Sequence, residues 1–435
     1  MINPEKVHEV LGKRILLEGM DMVLDLRRSK GMWLYDSRFD RWLLDFFGFF
    51  ATSALGMNHP SMEEPEFQRK LLKAAVNRPS NCDVYTEEYA EFVDTMSKVA
   101  TPPYFKYFFF IEGGALGVEN ALKVAFDWKV RKNLKERGKE MGYKVIHLRE
   151  SFHGRSGYTL SMTNTFDKRK TMYFPKFNWP RITNPKITFP LEGENLKRVE
   201  ELERQSLAEA EKAIKENDGD VAAFIMEPIQ GEGGDNHFRG EYIRAVRELT
   251  ERYDIMFIVD EVQSGMGITG KWWAHEYFDV EPDVMVFGKK TRISGIMVGP
   301  RVDEVEENVF KVPSRISSTW GGNLADMVVA TKIIEVIDND KLLDNAVRRG
   351  QEIIRGLMEL SERYELSNVR GRGLMIAVDL PDSRKRDMTL SKLYKNGMIA
   401  LPCGEKGIRF RPPLIIGSEE VQEGLNRLER SLRES

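Results

Sequence analysis

Three segments of the sequence carry residues that could do chemistry together, and each directly follows a short apolar run. Lys289 and Lys290 end VMVFGKK, Asp260 follows IMFIV, and two glycines open EGGALGVENALK after YFFFI. Burial lowers the pKa of a lysine, and a neutral lysine attacks carbonyl groups to form a Schiff base. A buried carboxylate needs a partner, because leaving it unpaired costs free energy. Exposed amides at a helix start favour a phosphate group.

Each segment also has an ordinary structural explanation when taken alone. The lysines fit a solvated loop, the carboxylate fits a structural ion pair or a helix cap, and the glycines fit a strand-to-helix turn. Their combination is more specific, because pyridoxal 5′-phosphate (PLP) needs a phosphate anchor, an anion at its ring nitrogen and a covalent link to its aldehyde. Phe152 in SFHGR could cover one ring face or pack in the core. We therefore predict a PLP site.

Two other kinds of site are not supported by the spacing of the residues. Gly265, Gly267 and Gly270 match GxGxxG, but VDEVQS separates them from the preceding apolar run. A dinucleotide fingerprint needs its glycines in the turn immediately after a strand. The histidines show neither HxxxH nor HExxH spacing. They are His8, His59, His147, His153, His237 and His275. The sequence predicts neither nicotinamide nor metal binding.

The elements that must position the predicted site alternate along the middle of the chain. Short apolar runs without a polar alternation are typical of strands buried on both faces. These candidate strands are Tyr107–Ile111, Lys144–Leu148, Val221–Met226, Ile255–Val259 and Val284–Phe287. Candidate helices between them are Leu116–Val130, Glu194–Glu216 and Gly240–Tyr253. The alternation predicts an α/β fold whose large domain has a mostly parallel sheet flanked by helices.

The C-terminal part has a different pattern. Residues 340–364 are typical of one or two helices, RGRGLMIAVDL becomes strand-like after its glycines, and a closing amphipathic helix is predicted near residues 418–432. We expect a smaller α+β domain over residues 331–435, with residues 1–65 packing against it. Residues 66–330 then form the large PLP-binding domain.

Composition limits the classes of protein to consider. The chain has 435 residues, 41% of them hydrophobic and 31% charged, with a net charge of −3. It therefore lacks the basic surplus of a nucleic-acid-binding protein. The charged N-terminus predicts no signal peptide, and the run at 105–111 is too short to span a membrane, which takes about 20 residues. Cys82 and Cys403 fit a reducing compartment. We expect a cytoplasmic enzyme.

Seven ordered motifs resemble a known family. They are GGALGVENALK, FHGRSGYTLS, EPIQGEGGD, DEVQSGMGITG, FGKK, STWGGN and RFRPPL. Together they resemble the class III (ω-) aminotransferases of PLP fold type I, from about residue 5 to the end. FGKKTRISGIMVG departs from the glycine-rich run of most members and resembles the lysine 6-aminotransferase branch. That resemblance implies transfer of the ε-amino group of L-lysine to 2-oxoglutarate, giving glutamate and 2-aminoadipate 6-semialdehyde, which cyclises to a piperideine carboxylate.

The resemblance also implies roles in binding the cofactor. Lys289 is implied to be the Schiff-base lysine and proton shuttle, and Asp260 the partner of the pyridine nitrogen. Phe152 would stack on the ring, and Gln263 would contact its hydroxyl. Three further positions are implied to hold the phosphate: the amides of Gly114 and Ala115, and Thr319 of a neighbouring subunit. The resemblance therefore implies a homodimer or a larger homo-oligomer.

Roles in binding the substrate follow from the same resemblance. Arg155 is implied to bind a substrate carboxylate and Arg409 a second one, while Glu232 is implied to neutralise Arg409. Ser317 stands where members often have asparagine. Two alternatives stay open: another ω-aminotransferase, acting on ornithine or 4-aminobutyrate, and an amino-acid racemase on the same fold.

Overall fold

The computed structural model describes residues 2–435. Its α-helices are α1 Val7–Gly12, α2 Gly48–Ala51, α3 Pro65–Asn77, α4 Glu87–Thr95, α5 Gly114–Arg137, α6 Thr159–Met162, α7 Gly193–Glu216, α8 Gly240–Arg252, α9 Leu324–Asn339, α10 Leu342–Ser361, α11 Ser383–Lys395 and α12 Ser418–Arg433. Its strands are β1 Trp33–Asp36, β2 Arg41–Asp45, β3 Tyr107–Ile111, β4 Lys144–Leu148, β5 Arg181–Ile182, β6 Val221–Met226, β7 Ile229–Gln230, β8 Asn236–His237, β9 Met256–Asp260, β10 Val284–Phe287, β11 Ser294–Val298, β12 Ser367–Arg372, β13 Met375–Asp379, β14 Met398–Ile399, β15 Leu401–Cys403 and β16 Gly407–Phe410.

The central feature is a seven-stranded sheet with the order β3-β11-β10-β9-β6-β4-β5. Strands β10, β9, β6, β4 and β5 run parallel, while β11 is antiparallel to both of its neighbours. The predicted α/β class and mostly parallel sheet are confirmed. Four of the five predicted strands, β3, β4, β6 and β10, have the observed bounds. The fifth, β9, begins and ends one residue later than predicted. The pattern missed β11 and the two-residue β5.

The sheet is covered on both faces, which explains its uninterrupted apolar strands. Alternate residues point to opposite faces of a strand. In β6, Ala223 and Ile225 pack with α5, whereas Phe224 and Met226 pack with α7 and α8. Full burial of an isoleucine, phenylalanine or methionine side chain contributes about 1.5–3 kcal/mol to the free energy of folding. The helices thereby hold the strand ends, and the residues that follow them, in a rigid frame.

The C-terminal residues form a second sheet with the order β12-β13-β16-β15. Helices α10 and α12 pack together beside it. The N-terminal segment joins this part of the chain because β2 pairs with β14, with Leu44 opposite Met398. The unpredicted helix α9 spans residue 330. The domain limits at residues 65 and 330 therefore stay a proposal. Among residues 2–435, no helix is both long and apolar enough to cross a membrane.

Candidate active site

The carboxyl ends of the parallel strands meet at one cavity of about 360 Å³. That size lies in the range of pockets that bind small molecules. All of the predicted site residues except Thr319 line it: Gly114, Ala115, Phe152, Arg155, Glu232, Asp260, Gln263, Lys289 and Arg409. They reach it from the ends of β3, β4, β6, β9 and β10 and from β16, so the sheet brings together residues that are up to 295 positions apart in sequence numbering, from 114 to 409.

The two adjacent lysines occupy different environments. Lys289 lines the cavity. Burial, together with the positive charge of Arg409, lowers the pKa of Lys289 to about 8, although Asp260 acts in the opposite direction. A larger fraction of Lys289 is therefore neutral near physiological pH than for an exposed lysine, as attack on an aldehyde requires. Lys290 is 2% exposed and does not line the cavity.

Lys290 has a structural task instead. Its Nζ donates to the carbonyl of Ala51 at 3.0 Å and to that of Gln263 at 3.3 Å. The turn Gly48–Ala51 has positive φ angles throughout, including 60° at Phe50. Non-glycine residues seldom adopt this conformation unless their surroundings hold them there. Lys290 therefore supports the turn that brings Phe50 to the cavity.

Asp260 belongs to a buried polar cluster. Its Oδ2 lies 2.8 Å from His153 Nδ1, and its Oδ1 accepts from the amide of Val262 at 3.1 Å. Burial raises the pKa of Glu227 to about 7, and the charges of Asp260 and His153 also act on Glu227. The carboxylate of Glu227 accepts a hydrogen bond from the amide of Phe152 at 2.9 Å and another from an amide in the loop after β7 at 3.0 Å. The cluster thus holds both the carboxylate and the Phe152 segment in place.

The start of α5 is built to receive an anion. Gly113 precedes the helix with a φ of 96°. No side chain caps the first amides of this 24-residue helix. Gly154, with a φ of 118°, lets the FHGR loop approach closely, since a Cβ there would lie 2.5 Å from Ala115 Cβ. Uncapped amides and the helix dipole favour a phosphate.

These features fit PLP. The helix start can hold the phosphate, Asp260 the protonated ring nitrogen, and Lys289 the aldehyde carbon, while Phe152 and Val262 offer apolar surfaces to the ring. The described residues contain no group of three or more His, Cys, Asp or Glu side chains placed to hold a metal ion.

Two buried arginines come from β16 and the residue after it, and one of them, Arg409, lines the cavity. Arg409 Nη1 donates to Gln263 Oε1 at 3.2 Å, and its Nε has no partner. Burial and the neighbouring charge of Arg411 lower the pKa of Arg409. Arg411 is paired through both terminal nitrogens with Asp235. Arg409 is therefore the guanidinium left open for a further anion.

Glu232 lines the cavity together with Arg409 but is paired with another cation, and its implied role of neutralising Arg409 stays a prediction. Its Oε1 accepts from Lys170 Nζ at 2.6 Å and from Thr165 Oγ1 at 2.7 Å. Its Oε2 is buried without a partner. Lys170 lies 62 positions before Glu232. Spacing within the sequence could not reveal this pair.

Arg155 and Thr319 are both exposed. Arg155 lines the cavity. No hydrogen bond or ion pair joins its side chain to another of the described residues. Thr319 lies outside the cavity of its own chain, where its carbonyl accepts from Ser80 Oγ at 2.5 Å. Its role in a neighbouring subunit, and the individual roles of the other site residues, stay predictions.

The predicted site residues leave out six residues that line the cavity: Phe50, His153, Gly154, Lys170, Glu227 and Val262. Glu227 had a usable signal, because it follows the buried strand β6 as Asp260 ends β9. His153 stands next to Phe152 and had been considered only as a metal ligand. Phe50 and Lys170 lie in segments with no motif, so only the folded chain brings them to the site.

Comparisons with known proteins agree with this geometry. The family model for Aminotransferase class-III matches residues 17–432. The L-lysine-epsilon aminotransferase of Amycolatopsis lactamdurans is 51% identical, with 98% of this chain and 95% of that protein covered. A lysine aminotransferase structure from Mycobacterium tuberculosis, in the internal aldimine form, has a TM-score of 0.96 and 47% identity, with 99% of each chain covered.

A second group of relatives is more distant. The human mitochondrial 4-aminobutyrate aminotransferase is 31% identical, with 94% of this chain and 84% of that protein covered. Because the family model and the relatives span nearly the whole chain, the predicted family and the fold of PLP type I are confirmed. This chain belongs to the class III aminotransferases, and its cofactor is pyridoxal 5′-phosphate.

Proposed function

We propose that the enzyme transfers the ε-amino group of L-lysine to 2-oxoglutarate. The products are glutamate and 2-aminoadipate 6-semialdehyde, which cyclises to piperideine-6-carboxylate. Bound PLP supplies the electron sink and the temporary carrier of the amino group. The two half-reactions require one cavity to accept a long diamine acid and a dicarboxylic acid in turn.

One observation carries the proposal: the cavity of Lys289 also contains two guanidinium groups without a carboxylate partner, Arg155 and Arg409. A guanidinium can hold a carboxylate through two parallel hydrogen bonds. The exposed Arg155 suits the α-carboxylate of lysine, so that the distal amino group is presented for reaction. The buried Arg409 suits the α-carboxylate of glutamate, whose reacting amino group is adjacent.

The other cavity residues have tasks that follow from their surroundings. Lys289 would hold the cofactor and would move a proton at the substrate carbon, for which its lowered pKa is favourable. Asp260 keeps the ring nitrogen protonated, and its hydrogen bond to His153 fixes the orientation of the carboxylate. Glu227 binds the backbone of Phe152 and so positions the surface beneath the ring.

The choice of lysine over ornithine or 4-aminobutyrate is supported by the relatives. Over nearly its full length, this chain shares about half of its residues with L-lysine-epsilon aminotransferases. It shares only about a third with the human 4-aminobutyrate aminotransferase. The higher overall identity to the lysine enzymes makes lysine the favoured donor. The racemase alternative predicts no net transfer of nitrogen.

Incubation with L-lysine and 2-oxoglutarate tests the function. The proposal expects equal amounts of glutamate and of a cyclic imine that reacts with o-aminobenzaldehyde. Ornithine and 4-aminobutyrate, supplied in parallel, should give lower kcat/KM values. Formation of D-lysine without glutamate, or a higher kcat/KM with either rival donor, would contradict the proposal.

Replacing Arg155 with lysine should weaken the binding of lysine. The ammonium keeps the charge but cannot make two parallel hydrogen bonds with a carboxylate. Because Arg155 is exposed, we expect KM for L-lysine to rise about tenfold, which is about 1.4 kcal/mol, with cofactor binding retained. Steady-state kinetics for both substrates measure the change. The exposed Arg169, which pairs with Asp167 outside the cavity, provides the matched control as Arg169→Lys. Equal KM values in wild type and Arg155→Lys would remove Arg155 from the site.

We also propose that the enzyme is a cytoplasmic homodimer. The exposed position of Thr319, away from its own cavity, supports a role in the phosphate pocket of a second copy. Both cysteines are free. Free thiols are the normal state in a reducing compartment.

A further inference from the structure

The carboxylate of Glu232 is held on the side of the cavity where Lys170 lies. Its Oε1 accepts from Lys170 Nζ at 2.6 Å and from Thr165 Oγ1 at 2.7 Å. The side chain of Glu232 is 18% exposed and that of Lys170 is 35% exposed. This is an ion pair partly shielded from water, inside the cavity that also contains Lys289.

The same cavity contains two buried polar atoms that lack partners. One is Oε2 of Glu232 and the other is Nε of Arg409. An acceptor and a donor that are both buried and unpaired raise the free energy of this arrangement. The charge of Glu232 acts on Arg409 and favours its protonated form, so the two groups are near each other. Glu232 therefore has a second partner available.

We propose that Lys170 is a positioning residue that holds Glu232 away from Arg409 and so leaves Arg409 open to the α-carboxylate of a dicarboxylic substrate. This inference rests on the proposed function, in which a diamine acid and a dicarboxylic acid use one cavity in turn. When lysine enters, Glu232 neutralises Arg409, as the resemblance to the family implies. When 2-oxoglutarate enters, Glu232 returns to Lys170.

Two properties of Lys170 suit a reversible contact. It ends the short 3-10 turn Lys168–Lys170 and is partly exposed, so its ammonium can be hydrated when Glu232 leaves. An ammonium offers a single point of charge, whereas the guanidinium of Arg409 offers a planar pair of donors. Without Lys170, the balance therefore shifts towards the Glu232–Arg409 pair, which occludes Arg409.

The test measures binding of glutarate, a dicarboxylate that accepts no amino group, to the holoenzyme by isothermal titration calorimetry. Lys170→Met should raise the Kd for glutarate about tenfold, within the usual range of coupling between sites. Lys168→Met removes a neighbouring exposed positive charge and should leave the Kd unchanged. Lys170→Arg should restore most of the affinity. Single-turnover reaction with L-lysine should be within about twofold of wild type in the control variant Lys168→Met, whose side chain does not line the cavity.

A double substitution separates this role from direct binding of the ligand by Lys170. In a Glu232→Gln background no carboxylate competes for Arg409, so adding Lys170→Met should not change the Kd for glutarate. A further rise in the Kd for glutarate in that background would mean that Lys170 binds glutarate itself, and this result would overturn the proposal. An unchanged or lower Kd in Lys170→Met alone would overturn it too, as would an equal effect of Lys168→Met. Glutarate binding involves no turnover, so failure to convert lysine would reject the proposed function separately from this result.

Discussion

Lys289→Ala is expected to lose the visible absorbance of the lysine-bound cofactor and to lower kcat by roughly 10²- to 10⁴-fold, the range for removal of a proton-transferring residue. Both effects have the same cause. Of the two adjacent lysines, Lys289 is the one that lines the cavity, and its pKa of about 8 favours a neutral amine. Its removal should therefore eliminate both the covalent link and the proton transfer. Absorbance spectra and single-turnover kinetics at equal cofactor loading measure the two effects.

Lys290 provides the control for that experiment. Lys290→Met removes the adjacent lysine but keeps a long apolar side chain in its buried position. It leaves the carbonyls of Ala51 and Gln263 without their donor, so we expect a loss of about 1–3 kcal/mol in the free energy of unfolding. The cofactor absorbance should remain in the folded fraction. The assignment is wrong if Lys290→Met loses that absorbance while Lys289→Ala keeps it.

Asp260→Asn is expected to bind the cofactor but to lower kcat by roughly 10²- to 10³-fold, as for removal of one preorganised electrostatic contact. An anion beside the ring nitrogen raises the pKa of that nitrogen and keeps it protonated. Asparagine preserves the shape of the side chain and still accepts from the amide of Val262, so the fold should persist. Cofactor content, thermal unfolding and kcat are measured on the same preparation.

Glu261 offers a neighbouring carboxylate for comparison. It is buried but does not line the cavity, and its Oε1 lies 2.9 Å from Nδ1 of His275. Glu261→Gln should therefore lower stability while the folded enzyme keeps its turnover. Near-normal turnover in Asp260→Asn, or an equal loss in both variants, would count against a special role for Asp260.

The positions of these residues at strand ends could be predicted from the sequence because the relevant signals are local. A buried strand produces a short apolar run, and chemistry in such a sheet follows the carboxyl ends of its strands. Asp260, Lys289 and the glycines before α5 were found by this rule. It would also have found Glu227, which follows β6 directly. Strand β11 was missed because SGIMV contains serine and glycine and is too short for a clear pattern.

The partners of the charged residues were decided only by the tertiary structure. Ion pairs join side chains that are far apart in the sequence, as with Lys332 and Glu64, which are 268 positions apart. Sequence spacing carries no information on which pair forms. The folded chain pairs Glu232 with Lys170, a partner that no motif in the sequence indicated. Likewise, Lys289 and Lys290 are adjacent and identical in the sequence, but only the side chain of Lys290 donates to the carbonyl of Ala51 in the strained turn Gly48–Ala51. A buried charge must be paired because an unpaired one is strongly destabilising. Its possible partners are fixed only when the helices and strands have packed together.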